Sequence, residues 1–175
     1  MTPAKDYTTQ ASLSTALHDI FRDTWQGDEI TVPGSRRRWD MAYSEGGGIV
    51  VVEYDGDEHY RHSLKIRADH EKDRAAANAG YTVVRFPYWL QLESRTLLHF
   101  FGLSVTMGTD FPHGFITTKH FPASFCELGI RRFQSELDTL PRDVRAEVVG
   151  SLEDRVEQFG LEYVLPSSLI HLVAA

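Results

Sequence analysis

The chain has 175 residues and a formal net charge of −7, which argues against a broadly basic nucleic-acid-coating protein but leaves room for a local phosphate contact. Its single cysteine, Cys126, permits neither an intrachain disulfide nor a multi-thiolate zinc site. No apolar run approaches the roughly 20 residues that a membrane helix needs. We therefore expect a cytoplasmic protein with no membrane partner.

The first predicted element is a helix over 15–26, which Ser12 or Ser14 would cap. Apolar residues recur in this segment at helical spacing and would form one buried stripe. A short extended segment is predicted at 29–32, and the Pro-Gly pair at 33–34 then favours a turn.

Two strands are predicted next, over 38–43 and 49–55, and a glycine-rich turn at 44–48 joins them into a hairpin. The second strand begins with four consecutive apolar residues, Ile49 to Val52. This pattern is typical of a strand that is buried on both faces of a sheet.

The segment 56–67 shows no clear period and is expected to be a loop over the end of this strand. A helix is predicted over 68–79, a third strand over 81–87 and another helix over 90–101. The order strand, helix, strand predicts a crossover connection, which is right-handed as a rule.

The composition changes after residue 102. A long ordered loop is predicted over 107–119, because glycine and proline alternate there with aromatic residues. Two helices are predicted over 125–140 and 143–159, and an apolar tail follows at 161–173.

Together these elements predict an α/β (α+β) fold with a central mixed sheet flanked by helices. We assign the core to residues 1–102 and a helical C-terminal extension to residues 103–175. The extension is expected to pack on the core, so that the two form one compact unit.

Three carboxylates are predicted to converge at the end of the hairpin. Glu53 and Asp55 are two residues apart, so both project to the same face of a regular strand. Asp40 lies on the neighbouring strand and can come beside Glu53. Buried carboxylates are costly unless a cation offsets their charge, and oxygen ligands suit Mg²⁺ or Mn²⁺. The sequence therefore predicts a metal site formed by Asp40, Glu53 and Asp55.

Further polar residues could complete a reactive site. His59 follows Asp55 by four residues and could transfer a proton or contact a phosphate. Asp69 and Lys72 share one face of the following helix; Lys72 could stabilise phosphate charge, and Asp69 could orient His59 or join the metal shell. The cluster Arg36-Arg37-Arg38 is either a phosphate contact or a solvated loop.

These motifs follow one another in order within residues 37–92: Asp40, Glu53-Tyr54-Asp55-Gly56, His59-Tyr60, Asp69-x-x-Lys72-Asp73 and the segment Gly80 to Tyr88. The order resembles the very-short-patch-repair-like branch of the PD-(D/E)xK nuclease superfamily, a branch that includes phage-type homing endonucleases. The resemblance implies a restriction-endonuclease-like core and divalent-metal-dependent hydrolysis of DNA phosphodiester bonds. It also implies that Asp40, Glu53 and Asp55 lie near the metal ion and that His59 and Asp69 take part.

One position departs from the superfamily pattern. The superfamily commonly has a lysine two residues after the acidic residue of the strand, whereas this chain has Asp55, a change that members of the branch often share. The role of that lysine would pass to Lys72, Lys65 or His59. The branch also has an acidic residue or a histidine on its first helix, and three residues compete for this place: His18, Asp19 and Asp23.

Two functions are compatible with the sequence. The first is a DNA endonuclease or nickase with one active site per chain, which would need a homodimer to cut both strands. The second is a catalytically inactive protein with the nuclease fold, which binds a partner in a phage-defence or mobile-element system. In either case residues 103–175 could contact a second copy or another protein.

Overall fold

The computed structural model describes residues 7–116 and 119–173. The strands of this part of the chain are β1 (Trp25–Thr31), β2 (Arg38–Glu45), β3 (Gly48–Asp55) and β4 (Thr82–Pro87). Its α-helices are α1 (Gln10–Ile20), α2 (Glu58–Arg61), α3 (Ser63–Asn78), α4 (Ser94–Phe101), α5 (Glu127–Thr139), α6 (Arg142–Phe159) and α7 (Leu161–Val164). Within the same residues, 3₁₀ segments span Pro122–Ser124 and Ser167–Leu172.

The four strands form one mixed sheet in the order β1-β2-β3-β4. β1, β2 and β3 pair antiparallel, whereas β4 pairs parallel to β3 after the crossover through α2 and α3. Gly46 and Gly47 form the turn between β2 and β3 with φ angles of 57° and 83°, a backbone region that favours glycine. The predicted α+β fold with a mixed sheet flanked by helices is confirmed, as are the predicted hairpin and the strand β4.

The prediction of a first helix over 15–26 was wrong at both ends. α1 begins earlier because Thr9 and Ser12 form a capping box, in which the Ser12 N–H donates to Thr9 Oγ1 at 3.1 Å and the Thr9 N–H donates to Ser12 Oγ at 2.7 Å. It also ends earlier, because Trp25 already pairs with Tyr43 in the sheet. Pairing with β2 therefore overrides the helical spacing of the apolar residues.

The predicted loop at 56–67 was also wrong, since α2 and the first turn of α3 occupy it. Ile66 is the one buried apolar side chain in this part of α3, so the hydrophobic pattern is too sparse to reveal the helix. α4 begins four residues later than its predicted start at residue 90, because Glu93 and Thr96 cap it at Ser94.

The region after residue 102 follows its predictions closely. α5 and α6 agree with the predicted helices at 125–140 and 143–159 to within two residues. The predicted loop at 107–119 is irregular in the residues that the structure describes, and residues 117 and 118 lie outside them. The predicted tail at 161–173 contains α7 and the second 3₁₀ segment.

The two faces of the sheet contact different apolar clusters. Val50 and Val52 belong to the larger cluster, which also contains residues from α1, α4, α5 and α6. Val51, on the opposite face, packs with Ala76 of α3 in a smaller cluster. The larger cluster includes Trp89 from one side of residue 102 and Phe133 from the other. Among the described residues, no helix is long and apolar enough to cross a membrane.

Candidate functional site

The last residues of β3 place two carboxylates on the face of the sheet that α3 covers. Val51 packs against α3, and alternation along the strand brings Glu53 and Asp55 to the same face. Glu53 is 4% exposed and Asp55 is fully buried. Buried carboxylates require hydrogen bonds or ion pairs, so the partners of these two side chains define the site.

Glu53 meets Asp40 at the point where the β2–β3 ladder ends. The last backbone pair before this point joins Met41 to Val52. Beyond this pair, side-chain acceptors replace the backbone carbonyls. The Asp40 N–H donates to Glu53 Oε1 at 3.1 Å, and the Tyr54 N–H donates to Asp40 Oδ2 at 2.8 Å. The predicted proximity of Asp40 and Glu53 is therefore present in the structure.

Lys72 of α3 completes this group, which we call the strand-pair site (Asp40, Glu53 and Lys72). Its Nζ donates to Glu53 Oε1 at 2.6 Å and lies 5.1 Å from the centre of the Trp39 ring. Burial raises the pKa of Asp40 and of Glu53, and the charge of Asp40 raises the pKa of Glu53 further, although Lys72 opposes both shifts. The ionised carboxylates are thus incompletely compensated by protein groups.

Asp55 belongs to a second group, which we call the buried ion cluster (Asp55, His59, Asp69, Arg85 and Arg132). Asp55 Oδ1 lies 3.0 Å from His59 Nδ1 and accepts a hydrogen bond from Arg85 Nη1 at 2.8 Å. Its other oxygen, Oδ2, accepts a hydrogen bond from Arg132 Nη2. Both oxygens of this fully buried carboxylate are therefore engaged.

Asp69 of α3 lies on the other side of the same histidine. Its Oδ2 is 2.7 Å from His59 Nδ1 and accepts from Arg132 Nη1 at 3.1 Å. Burial would raise the pKa of Asp69, but the hydrogen bond from His59 and the charge of Arg85 outweigh it, so the pKa lies below its usual value. Because both neighbours of His59 Nδ1 are acceptors, we assign the ring proton to Nδ1.

The two arginines have further acidic partners. Arg85 donates from Nη2 to Asp73 Oδ1 at 2.7 Å, and Arg132 donates from Nε to Glu136 Oε1 at 2.8 Å. The Tyr60 hydroxyl donates to Glu136 Oε2 at 2.7 Å, and burial raises the pKa of Glu136. The cluster thus joins β3, β4, α3 and α5 through charged hydrogen bonds.

Neither protein-family models, curated proteins nor solved structures give a match to this chain.

The buried ion cluster could hold a metal ion. Asp55, His59 and Asp69 each offer a ligand atom, and these atoms all lie within 4.8 Å of one another. Two carboxylates and one imidazole form a donor set that suits a divalent transition metal. The same carboxylates already accept hydrogen bonds from Arg85 and Arg132, so a cation must share or displace these contacts.

The six predicted site residues thus lie in two adjoining groups. Asp40, Glu53 and Lys72 form one, whereas Asp55, His59 and Asp69 form the centre of the other. The predicted metal ligands are divided between these groups, and Asp55 is the member that lies in the buried ion cluster.

The three adjacent arginines have different environments. Arg36 is exposed. Arg37 is docked on α3, where it donates to the Ala68 carbonyl at 2.5 Å and to Glu71 Oε2 at 2.6 Å. Arg38 is exposed and pairs with Glu29 of β1 at 3.1 Å.

The competing residues of the first helix have surface positions. His18 packs edge-on against Trp25, and Asp19 pairs with Arg22 at 3.4 Å. Asp23 is exposed in the turn that follows α1. Lys65, which could replace the superfamily lysine, is exposed near the start of α3, whereas Lys72 is the lysine that contacts a strand carboxylate.

Sequence reasoning missed both arginines of the buried ion cluster. Arg85 follows Val83 and Val84 and precedes Phe86 in β4, and this is a signal that could have identified it, because a charge among apolar strand residues needs a partner. Arg132 offered no comparable signal, since a surface helix with arginines and glutamates is ordinary.

Proposed function

We propose that this chain has a restriction-endonuclease-like core and acts as a divalent-metal-dependent endonuclease on DNA phosphodiester bonds. One observation carries the proposal: four carboxylates, an imidazole and an ammonium group from distant parts of the chain meet at the end of β3. Metal-dependent phosphodiester hydrolysis uses a proton acceptor, cationic groups that stabilise the phosphate charge, and a cation-binding site.

The residues present fit a metal ion of this class. Asp55, His59 and Asp69 would hold it, and the imidazole favours Mn²⁺ over Mg²⁺, which prefers oxygen ligands. A bound divalent ion would polarise a phosphate oxygen and lower the pKa of a water molecule.

His59 is arranged to handle a proton. Its Nδ1–H is held between Asp55 and Asp69, so Nε2 keeps a lone pair in the neutral ring. This lone pair can accept a proton from an attacking water while the ring is not itself a metal ligand.

Lys72 supplies the positive charge that the superfamily lysine would otherwise provide. Glu53 fixes its ammonium group at the end of β3, beside the ring of Trp39. There it can stabilise the negative charge that develops on a phosphate during hydrolysis. Arg36, which is exposed on the loop before β2, is the best placed of the three adjacent arginines to contact the DNA backbone.

A second function is favoured by a specific observation. Arg85 and Arg132 offset the charges of Asp55 and Asp69 with protein groups alone. A nuclease fold that has lost catalysis could keep such a cluster as a structural ion network and bind a partner through residues 103–175.

Plasmid nicking separates the two functions. The endonuclease proposal predicts that the wild-type chain converts supercoiled DNA to the nicked form with Mn²⁺ or Mg²⁺ and that EDTA stops the reaction. Asp55→Asn should lower the rate by at least about a hundredfold, because its carboxylate is central to the cluster. Asp154→Asn, an exposed aspartate of α6, is the matched control and should cut like the wild type. Equal cutting by Asp55→Asn would show that the site is misassigned.

A further inference from the structure

Arg132 lies on α5, within the stretch after residue 102 for which the sequence suggested no catalytic role. Its Nη1 donates to Asp69 Oδ2 at 3.1 Å and its Nη2 donates to Asp55 Oδ2. The side chain is 12% exposed. One guanidinium group therefore bridges the two carboxylates that the candidate metal ion would need.

The two guanidinium groups of the buried ion cluster differ in how they are attached. Arg85 belongs to the sheet itself, where it pairs with Glu53 in the parallel register, and it is also fixed by Asp73. Arg132 reaches the cluster from a separate helix. Among the arginine contacts of the cluster, those of Arg132 are therefore the ones that a movement of α5 can change.

Arg132 also has partners outside the metal-binding residues. Its Nε donates to Glu136 Oε1 at 2.8 Å, and its guanidinium carbon lies 5.0 Å from the centre of the Tyr60 ring. These contacts leave Arg132 an acidic partner and a cation–π partner when Asp55 and Asp69 bind another cation. If a metal ion replaces Arg132 at the two carboxylates, the buried guanidinium group therefore still has partners for its positive charge.

We infer that Arg132 competes with a divalent cation for Asp55 and Asp69, so that α5 sets the metal affinity of the site. The inference rests on the proposed metal-dependent function. It gives the C-terminal extension a defined effect on the site, because any ligand that shifts α5 would also change metal affinity. If Arg132 only supported the metal ligands, its replacement would weaken metal binding, whereas competition predicts that its replacement strengthens metal binding.

Calorimetric titration with Mn²⁺ measures whether replacement of Arg132 strengthens or weakens metal binding. Arg132→Gln should bind Mn²⁺ on the order of tenfold more tightly than the wild type, because it removes the competing charge. Arg131→Gln is the matched control: Arg131 is the adjacent residue of α5, its side chain is 70% exposed and it pairs with Glu127 on the surface. Its Mn²⁺ affinity should equal that of the wild type.

Hydrogen exchange of the wild-type chain provides a second measurement if Arg132→Gln does not fold. Saturating Mn²⁺ should raise amide exchange in α5 severalfold relative to exchange in α6, because displacement of Arg132 removes contacts that hold α5 while general stabilisation by the ion acts on both helices. An unchanged or lower ratio of exchange in α5 to that in α6 would contradict the inference.

The outcomes separate the inference from the proposed function. Absence of Mn²⁺ binding in the wild type and in Arg132→Gln would overturn both. Equal or weaker binding by Arg132→Gln, in a wild-type chain that still nicks plasmid DNA, would overturn the competition by Arg132 and leave the nuclease intact.

Discussion

Asp40 donates a hydrogen bond from its N–H to the Glu53 carboxylate across β2 and β3, at the place where the backbone ladder stops. Glu53 accepts from the Asp40 N–H, and Asp40 accepts from the N–H of Tyr54, the residue after Glu53. The two side chains therefore extend the pairing of the strands beyond Met41 and Val52. This arrangement fixes both carboxylates in place before any ligand binds, which is what a preorganised site requires.

Glu53→Gln should slow DNA cutting, because Lys72 loses the carboxylate that fixes its ammonium group, without destabilising the metal-free protein. Burial and the charge of Asp40 raise the pKa of Glu53. The folded protein therefore favours the protonated side chain, and the stability that this protonation provides at low pH is lost as pH rises through the pKa of the folded state. Near pH 7 the variant should be at least as stable as the wild type, because it removes a buried charge that Lys72 compensates incompletely. Urea denaturation in EDTA measures this difference. Glu71→Gln, on the exposed side of α3, is the control and should keep its cutting activity.

Asp69→Asn should destabilise the protein in a pH-dependent way. Burial opposes ionisation of Asp69, but the hydrogen bond from His59 and the arginine charges outweigh it and lower the pKa of Asp69. Asp69 therefore stabilises the folded protein at pH values above the ordinary pKa of 3.8, and this stabilisation is lost as pH falls through the lowered pKa of the folded state. We expect a loss of about 3 kcal/mol at pH 7, because the substitution leaves buried arginines underpaired.

The loss caused by Asp69→Asn should shrink well below pH 4, as urea denaturation at several pH values would show. Asp19→Asn removes a surface ion pair instead, and its effect should stay below about 0.5 kcal/mol throughout. An equal loss for Asp69→Asn at neutral and acidic pH would contradict the assigned charge state.

Gly129→Ala should loosen α5 from the site. A Cβ atom at this position would lie 1.7 Å from the Tyr60 carbonyl oxygen, so the helix must shift away from α2. We expect a loss of about 1–3 kcal/mol from this overpacking. Gly150→Ala in α6 meets nothing within 4 Å and should instead gain up to about 1 kcal/mol from helix propensity. Thermal unfolding compares the two, and similar effects would show that the close approach of Gly129 is unimportant.

Arg36→Ala should affect DNA binding, whereas Arg37→Ala should affect the stability of the protein. Arg36 is exposed, so its loss should weaken DNA binding and lower the slope of affinity against salt by about 1, with stability unchanged. Arg37 holds the loop on α3 through Ala68 and Glu71, so its loss should reduce stability. Fluorescence anisotropy at several salt concentrations, together with thermal unfolding, measures both effects. A wild-type salt slope in Arg36→Ala would remove Arg36 from the DNA contact.

The sequence was sufficient to predict the centre of the fold and which polar residues lie near the end of β3. The apolar run at 49–52 identified β3, and the spacing of Glu53 and Asp55 predicted their common face. The i, i+3 spacing of Asp69 and Lys72 predicted a shared face of the helix, and in the structure this face meets the strand ends, where the two residues contact His59 and Glu53. These features depend on local periodicity, which is visible in a sequence.

The division of the carboxylates and the part played by α5 could not be predicted in the same way. Arg132 is 77 residues from Asp55 along the chain, and only tertiary packing brings them together. The early end of α1 has the same origin, because strand pairing at Trp25 decides it. Long-range contacts of this kind leave no periodic signal in the sequence.

Anomalous diffraction from a crystal saturated with Mn²⁺ tests the metal-dependent site most directly. We predict a strong anomalous peak within bonding distance of the Asp55 carboxylate, with Arg132 displaced from it. A crystal with Mn²⁺ at saturating concentration, no anomalous peak at Asp55 and Arg132 still bridging Asp55 and Asp69 would contradict the proposed metal-dependent nuclease.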